Sequence, residues 1–297
     1  MQRLTRSHAL QAAKGGGDVT LPLVVGVDGS DSSLLAIDWA VDEAARHGVS
    51  LRLVYASLWE RYEVPLPFTG LERSAEQMLA EHIVASGAER AERRNPEVKV
   101  TTDIIQEEAA GALVRESDGA FTLVTGSRGR GELKGMLLGS VGLAVAGRAR
   151  CPVIVVRGDR AGTVGTHERI LLGLGDTDTS AEAVRFAFRE AEVRGCVLDV
   201  VRAWRSPVHP EEPGHAPGEE LFAPLGDAIA EHPRVRTIRT AVEGPAGKVL
   251  VRRSAAADLV VAGARHRTGH VGLQLGCVNH ILLHHAQCPV AVVPQRP

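Results

Sequence analysis

The chain repeats itself, and that repeat constrains its fold more than any other feature. The run CPVIVV at Cys151–Val156 returns as CPVAVV at Cys288–Val293, 137 residues on. At the same spacing, LVTGSRGRGELKGMLLGS (Leu123–Ser140) returns as VVAGARHRTGHVGLQLGC (Val260–Cys277). Nearer the front, VVGVDGSDSSLLAIDWAVDEAA (Val24–Ala45) matches LLGLGDTDTSAEAVRFAFREAE (Leu171–Glu192), 147 residues on. Three matches in the same order are a duplication, and the drop in spacing puts a deletion in the middle of the second copy. At ~100–200 residues per domain, 297 residues make two domains. Aromatics are only 3% of the chain, so each core must be built from Val, Leu, Ile and Ala.

Each copy alternates strand and helix signals. Short unbroken apolar runs such as LPLVVGV suit strands buried on both faces of a parallel sheet. Ser32 or Ser33 is a candidate cap for a helix whose apolar face carries Leu35, Trp39 and Ala40. The pattern then predicts a strand at LRLVYA, a helix from about 71 to 94 and a strand at 98–105. A helix at 109–116, a strand at 121–124, a helix at 141–148 and a strand at 153–156 complete the copy. The second copy follows suit at 170–174, 180–194, 197–203, 218–231, 235–241, 246–256, 259–262, 278–285 and 290–293. Residues 218–231 are read there as one helix, after a Pro/Gly/Glu-rich loop. The expected architecture is therefore two tandem doubly wound α/β domains, each a parallel sheet flanked by helices. We divide the chain into a flexible tail (1–20), a first domain (21–157), a flexible linker with three glycines (158–167) and a second domain (168–294).

Composition narrows the function classes. With 34 Lys+Arg against 36 Asp+Glu there is no global pull toward nucleic acid or anionic membrane. No apolar run reaches the ~18 residues that span a bilayer. The four cysteines form no CxxC pair and read as buried free thiols in a reducing cytoplasm.

The most informative stretch is Gly126–Ser140. It leaves the carboxyl end of a buried strand, where open α/β sheets bind ligands, and ends at a helix start. Glycines let backbone amides approach an anion, and a helix N-terminus adds unpaired N–H groups and partial positive charge. Ser140 can cap that helix or bond a phosphate oxygen, while Arg128, Arg130 and Lys134 add charge nearby. The loop is neither GxxxxGK[ST] nor GxGxxG, and a glycine-rich turn with no ligand fits the same residues. Asp28, at the end of the first strand, can accept sugar hydroxyls or simply cap a turn within DGSDSS.

The spacing Gly126-x2-Gly129-x9-Gly139-Ser140, the front run VVGVDGSDSSLLAIDWA and the endings ARCPVIVV and AQCPVAVV resemble the universal stress protein family. The likeness covers Leu21–Arg157 and about 168–294. It implies five-stranded sheets of order 3-2-1-4-5 and a site for ATP, with or without Mg. By position, Asp28 would meet the ribose or adenine side, preceded by Gly26 and Val27, and Ala56 would touch adenine. Gly126, Gly129, Gly139 and Ser140 would hold the phosphates, with Val141 following and Arg128 and Arg130 beside them.

The second copy departs from this pattern. Gly263 and Gly276 persist, but His266 replaces the middle glycine, Cys277 the serine and Gly175 the aspartate, with Asp176 one place later. Weak or absent ATP binding is expected there, although Arg265, His266 and Arg267 suit some other anion. Five histidines (His266, His270, His280, His284 and His285) lack the rest of a metal ligand set and read as helix-end packing. No catalytic triad or carboxylate pair stands out. The leading expectation is a cytoplasmic nucleotide-binding regulatory or stress-response protein with a protein partner. Its fused halves would form an intramolecular pseudo-dimer, free to pair again as a homodimer. Alternatives are a scaffold without nucleotide, or an enzyme of adenylyl transfer or slow ATP hydrolysis.

Overall fold

A computed structural model describes residues 20–58, 75–129, 138–158, 160–175, 180–205, 218–264 and 275–295. The tail, Arg130, Lys134, Asp176, Arg265–Arg267, His270 and the Pro/Gly-rich loop of the second half lie outside the described residues.

In the first half β1 (Leu23–Gly26), β2 (Leu51–Ala56), β3 (Val100–Ile105), β4 (Thr122–Gly126) and β5 (Val153–Val156) form parallel pairs in the order β3-β2-β1-β4-β5. The crossovers are α1 (Asp31–His47), α2 (Ala75–Arg94), α3 (Ala109–Glu116) and α4 (Ser140–Arg148). A short helix, α5 (Arg160–Val164), leads into the second half. There β6 (Arg169–Gly173), β7 (Val197–Trp204), β8 (Thr237–Glu243), β9 (Leu259–Ala264) and β10 (Val290–Pro294) repeat the order as β8-β7-β6-β9-β10. Their helices are α6 (Ala181–Arg194), α7 (Gly226–Glu231), α8 (Ala246–Ser254) and α9 (Cys277–His285). The continuous apolar runs are explained by burial on both faces. Leu23 and Val25 pack into one core and Val24 into the other, all three fully buried.

The two five-stranded units join edge to edge into one ten-stranded sheet. The CPVIVV and CPVAVV strands meet at the seam, and β5 and β10 pair antiparallel, Val290 opposite Val155 and Val292 opposite Val153. Two edges that would otherwise expose hydrophobic hydrogen-bonding backbone are thereby covered.

Several local expectations are corrected. The cap of α1 is Ser30, whose hydroxyl accepts from Ser33 N at 3.2 Å, because α1 begins at Asp31. Trp39 and Ala40 are buried, but Leu35 is 53% exposed, because α1 turns a neighbouring stripe inward. The span 218–231 is not one α-helix: a 3-10 helix containing Pro224 occupies Glu219–Leu225 before α7 begins, and proline supplies no N–H for a continuous ladder. Of the cysteines, Cys151 and Cys288 are buried, but Cys196 is only half-buried and Cys277 is exposed. The linker is closely packed. A Cβ on Gly158 (φ 101°) would lie 2.1 Å from Gln287 O, and one on Gly162 would lie 2.9 Å from Cys288 Cβ. Just before it, the Arg157 guanidinium donates to the carbonyl oxygens of Leu282, Leu283 and His284, capping the C-terminus of α9.

Candidate functional site

The chain leaves β1 toward β2 and β3 on one side, and returns through β4 to β5 on the other. That reversal opens a crevice beyond the carboxyl ends of β1 and β4, as topology requires. A cavity of about 370 Å³ lies there, within the usual range of about 300–1,000 Å³ for small-ligand sites. Gly26, Val27 and Asp28 enter it from the end of β1, Ala56 from β2, Gly126 from the end of β4, and Arg128 and Gly129 from the loop after it. Gly139, Ser140 and Val141 line it from the first turn of α4. Ten sequence-predicted positions are thus brought around one space; Arg130, the eleventh, lies outside the described residues.

The wall has two chemistries. Val54, Leu113 and Leu138 give an apolar side suited to a flat ring. The N-terminus of α4, directly after Leu138, lines the same cavity. Its Ncap is Gly139, without a side-chain cap, and Ser140 is the first residue of the helix rather than its cap. The first intrahelical bond runs from Leu143 N to Gly139 O at 3.2 Å. The preceding first-turn amides therefore have no intrahelical acceptor, and the helix dipole adds partial positive charge. By contrast, α3 is capped by Glu108, which accepts from Ala110 N and Gly111 N.

The glycines have separate reasons. A Cβ on Gly126 would lie 2.6 Å from the Ser32 backbone, so packing against the start of α1 demands glycine there. Gly26 faces the Leu113 side-chain end at 2.7 Å, and its counterpart Gly173 faces that of Leu250 at 2.7 Å, contacts that a leucine can relieve by shifting. A Cβ on Gly129 would lie 2.8 Å from Asp28 Oδ2. Around Gly139 the nearest described neighbours are 3.7 Å away, so a Cβ there makes only ordinary contacts.

Asp28 does two things at once. Its Oδ1 accepts from Ser30 N at 2.9 Å and from Ser30 Oγ at 2.6 Å, an Asx-turn, while the residue still lines the cavity. The serines of DGSDSS do more than cap. Ser32 Oγ accepts from Arg128 N at 3.1 Å and lies 3.4 Å from Ser127 Oγ, pinning the glycine loop to α1. Sequence reasoning passed over Ser30, Thr125 and Gly142, the last two of which line the cavity.

In the second half Cys277 opens α9 at the position of Ser140, and Gly276 brings no side-chain cap. The larger change is at Asn279, which stands where the first half has Gly142. Its Nδ2 donates to Gly263 O at 3.0 Å, and the residue is 3% exposed. The amide fills the wedge between the first turn of α9 and the end of β9, the space left open at Gly142. Sequence reasoning missed this substitution, although the repeat aligns the two positions directly. The rings of His280 and His284 lie with centroids 4.5 Å apart, tilted at 31°. Among the described residues, the three-member group with metal-ligand proximity is instead Glu43, His47 and Glu190, which does not line the cavity. No helix of the described residues is long and apolar enough to cross a membrane.

The model of the universal stress protein family matches residues 21–157 and again 166–294. Universal stress protein Rv2005c of Mycobacterium tuberculosis is 32% identical over 289 residues, which span 92% of this chain and 97% of the relative. Among solved structures, a universal stress protein from Archaeoglobus fulgidus shares the fold at a TM-score of 0.62 and 16% identity, covering 93% of this chain and 98% of that one. A universal stress protein solved in complex with cAMP is 30% identical, covering 46% of this chain and 97% of its own, with a TM-score of 0.35.

Proposed function

The chain belongs to the universal stress protein family, with two of its domains in tandem, and from that premise we propose that it is a cytoplasmic ATP-binding regulatory protein of the stress response, its nucleotide held by the first half. The observation that carries this reading is that the N-terminus of α4, without a side-chain cap, lines one cavity together with the apolar Val54, Leu113 and Leu138. Adenine would lie against Val54, Ala56 and Leu113. The phosphates would seat on the amides of Ser140 and Val141, the Gly139 amide already donating to Ser127 O at 2.8 Å, with Arg128 alongside and Asp28 near the sugar. Asp28 is the one acidic side chain lining the cavity among the described residues, so Mg would depend mainly on the ligand's own phosphates. Asp28 Oδ1 is engaged by Ser30 N and Ser30 Oγ, which suits a side chain that orients a ligand. Bound phosphate would tie α4 to the Asp28–Ser30 turn and hence to α1, altering the rim that a protein partner, or a second copy of the chain, would meet.

The second reading, a scaffold that binds no nucleotide, is favoured by the β5–β10 seam and by the filled wedge at Asn279. Calorimetric titration of the full chain with ATP and AMP separates the two. Gly139→Glu places an acid at the phosphate seat, and Gly276→Glu, where a Cβ meets nothing within 4 Å among the described residues, makes the corresponding change in the second half. One site per chain, lost in Gly139→Glu and kept in Gly276→Glu, is expected. No heat with the wild type at millimolar nucleotide would leave the scaffold reading.

A further inference from the structure

The repeat sets equivalent positions of α1 and α6 against each other. Glu43 corresponds to Glu190 and His47 to Arg194, 147 residues on in each case. Their side chains meet crosswise between the halves. Arg194 Nη2 lies 2.7 Å from Glu43 Oε2, and His47 Nε2 lies 3.1 Å from Glu190 Oε1. Within each helix, His47 Nε2 is 3.5 Å from Glu43 Oε1, and Arg194 Nε is 3.6 Å from Glu190 Oε2. Each half's cation thus reaches the other half's carboxylate, the reciprocity of a two-fold contact. All four side chains are between 1% and 8% exposed.

The two arms are chemically unequal. Arginine keeps its proton in any folded protein, whereas imidazole is a cation only when protonated. While both buried carboxylates are ionised, the quartet with Arg194 is neutral only if His47 is charged. Losing that proton strips Glu190 of its closest counter-ion, and an unpaired buried charge is costly. The other groups facing the quartet do not replace it. Arg46 Nη1 lies 3.0 Å from the same Glu43 Oε2 that Arg194 holds. Arg189 stands over the Phe121 ring at 4.7 Å, and that ring faces His47 at 5.0 Å. Trp39 lies under Arg194 at 5.5 Å, and Cys196 is a thiol beyond it.

We propose that this crossed quartet is a proton-operated clasp between the two halves, closed while His47 carries its proton and released on that arm when the proton leaves. The electrostatics agree with the geometry. Burial pulls the imidazole toward neutrality, but the Glu190 and Glu43 carboxylates outweigh it and raise its pKa to about 9. Burial and the charge of Glu43 lift Glu190 to about 7. Burial opposes the charge on Glu43 itself, yet Arg194, with His47 and Glu190, holds it well below the usual carboxylate range. Raised folded-state values mean stabilisation that is full at low pH and lost on alkalinisation. The His47 contribution is intact below 6.5 and disappears as pH rises through about 9. That of Glu190 is intact below 4.5 and fades through about 7.

The test is a histidine NMR titration of the full chain, the His47 signal being the one missing from His47→Gln. A midpoint near 9 is expected; a midpoint near 6.5 overturns the clasp. A signal that titrates only after a chelator is added also overturns it, by revealing a metal ion held by Glu43, His47 and Glu190. In parallel, urea unfolding compares the wild type with His47→Arg, which copies the permanent arm. The wild-type unfolding constant should rise about tenfold to a hundredfold relative to His47→Arg from about pH 6.5 to about pH 9.5. A constant ratio across that range refutes the proposal.

Discussion

Replacing Gly142 by asparagine would carry the second half's device into the first. A Cβ at Gly142 would have Thr125 Oγ1 at 3.5 Å, with Gly126 O and Leu138 Cδ1 each at 3.6 Å. These are ordinary contacts, so a Cβ is accommodated without moving the backbone. Its amide would then reach Gly126 O as Asn279 Nδ2 reaches Gly263 O, at 3.0 Å. Helix propensity favours asparagine over glycine by about 0.3 kcal/mol. One additional hydrogen bond is worth about 1 kcal/mol, so the variant should be more stable by about 0.5–1.5 kcal/mol. Nucleotide faces the opposite effect. A ligand using the first turn of α4 must share space with that amide or pull it from its acceptor, at about 1–3 kcal/mol. That is roughly a 5- to 150-fold weaker affinity. Calorimetric titration with ATP reads the affinity and urea unfolding the stability. Wild-type affinity in a stable variant would refute the reasoning about the wedge; a destabilised variant would refute the fit.

Two further substitutions probe how the halves are joined. Gly158→Ala forces a Cβ to within 2.1 Å of Gln287 O at a φ of 101°, so a loss of about 3 kcal/mol or more is expected in urea unfolding; unchanged stability would mean the linker can leave the α9–β10 turn freely. Val155→Glu buries an unpaired carboxylate opposite Val290 at the seam. It should cost about 3 kcal/mol or more or let the halves separate, seen as expansion in small-angle scattering, and an unchanged radius and stability would count against the seam's role.

Much of the fold is legible in the sequence because parallel strands buried on both faces leave unbroken apolar runs, and because a duplication prints each run twice. Gly48 and Gly195 illustrate it: both end the first helix of their half at φ near 63° and 62°. What escaped the reading depended on contacts between distant segments. DGSDSS offers several hydroxyls for one cap, and only the contacts of Ser32 with Ser127 and Arg128 decide that Ser30 takes the role. Glycine count in the linker suggests looseness, but Gly158 and Gly162 are there because Gln287 and Cys288 leave no room for a side chain. In the cavity, the strand-end and helix-start positions follow from spacing. The role of position 142 needs the structure, because a missing side chain has meaning only beside what would fill its place. The crossed quartet was likewise in plain view as E-x3-H and E-x3-R, but the sequence does not say that α1 and α6 face each other.

The single antiparallel junction between β5 and β10 reverses the heading of every strand beyond it. The carboxyl ends of the first five strands therefore point to one pole of the molecule and those of the second five to the other. A partner docked over the Gly139 rim cannot also reach the Gly276 rim from the same side. The two poles are separate surfaces, so the second could exchange its middle glycine for His266 and its serine for Cys277, and gain Asn279, without disturbing what approaches the first.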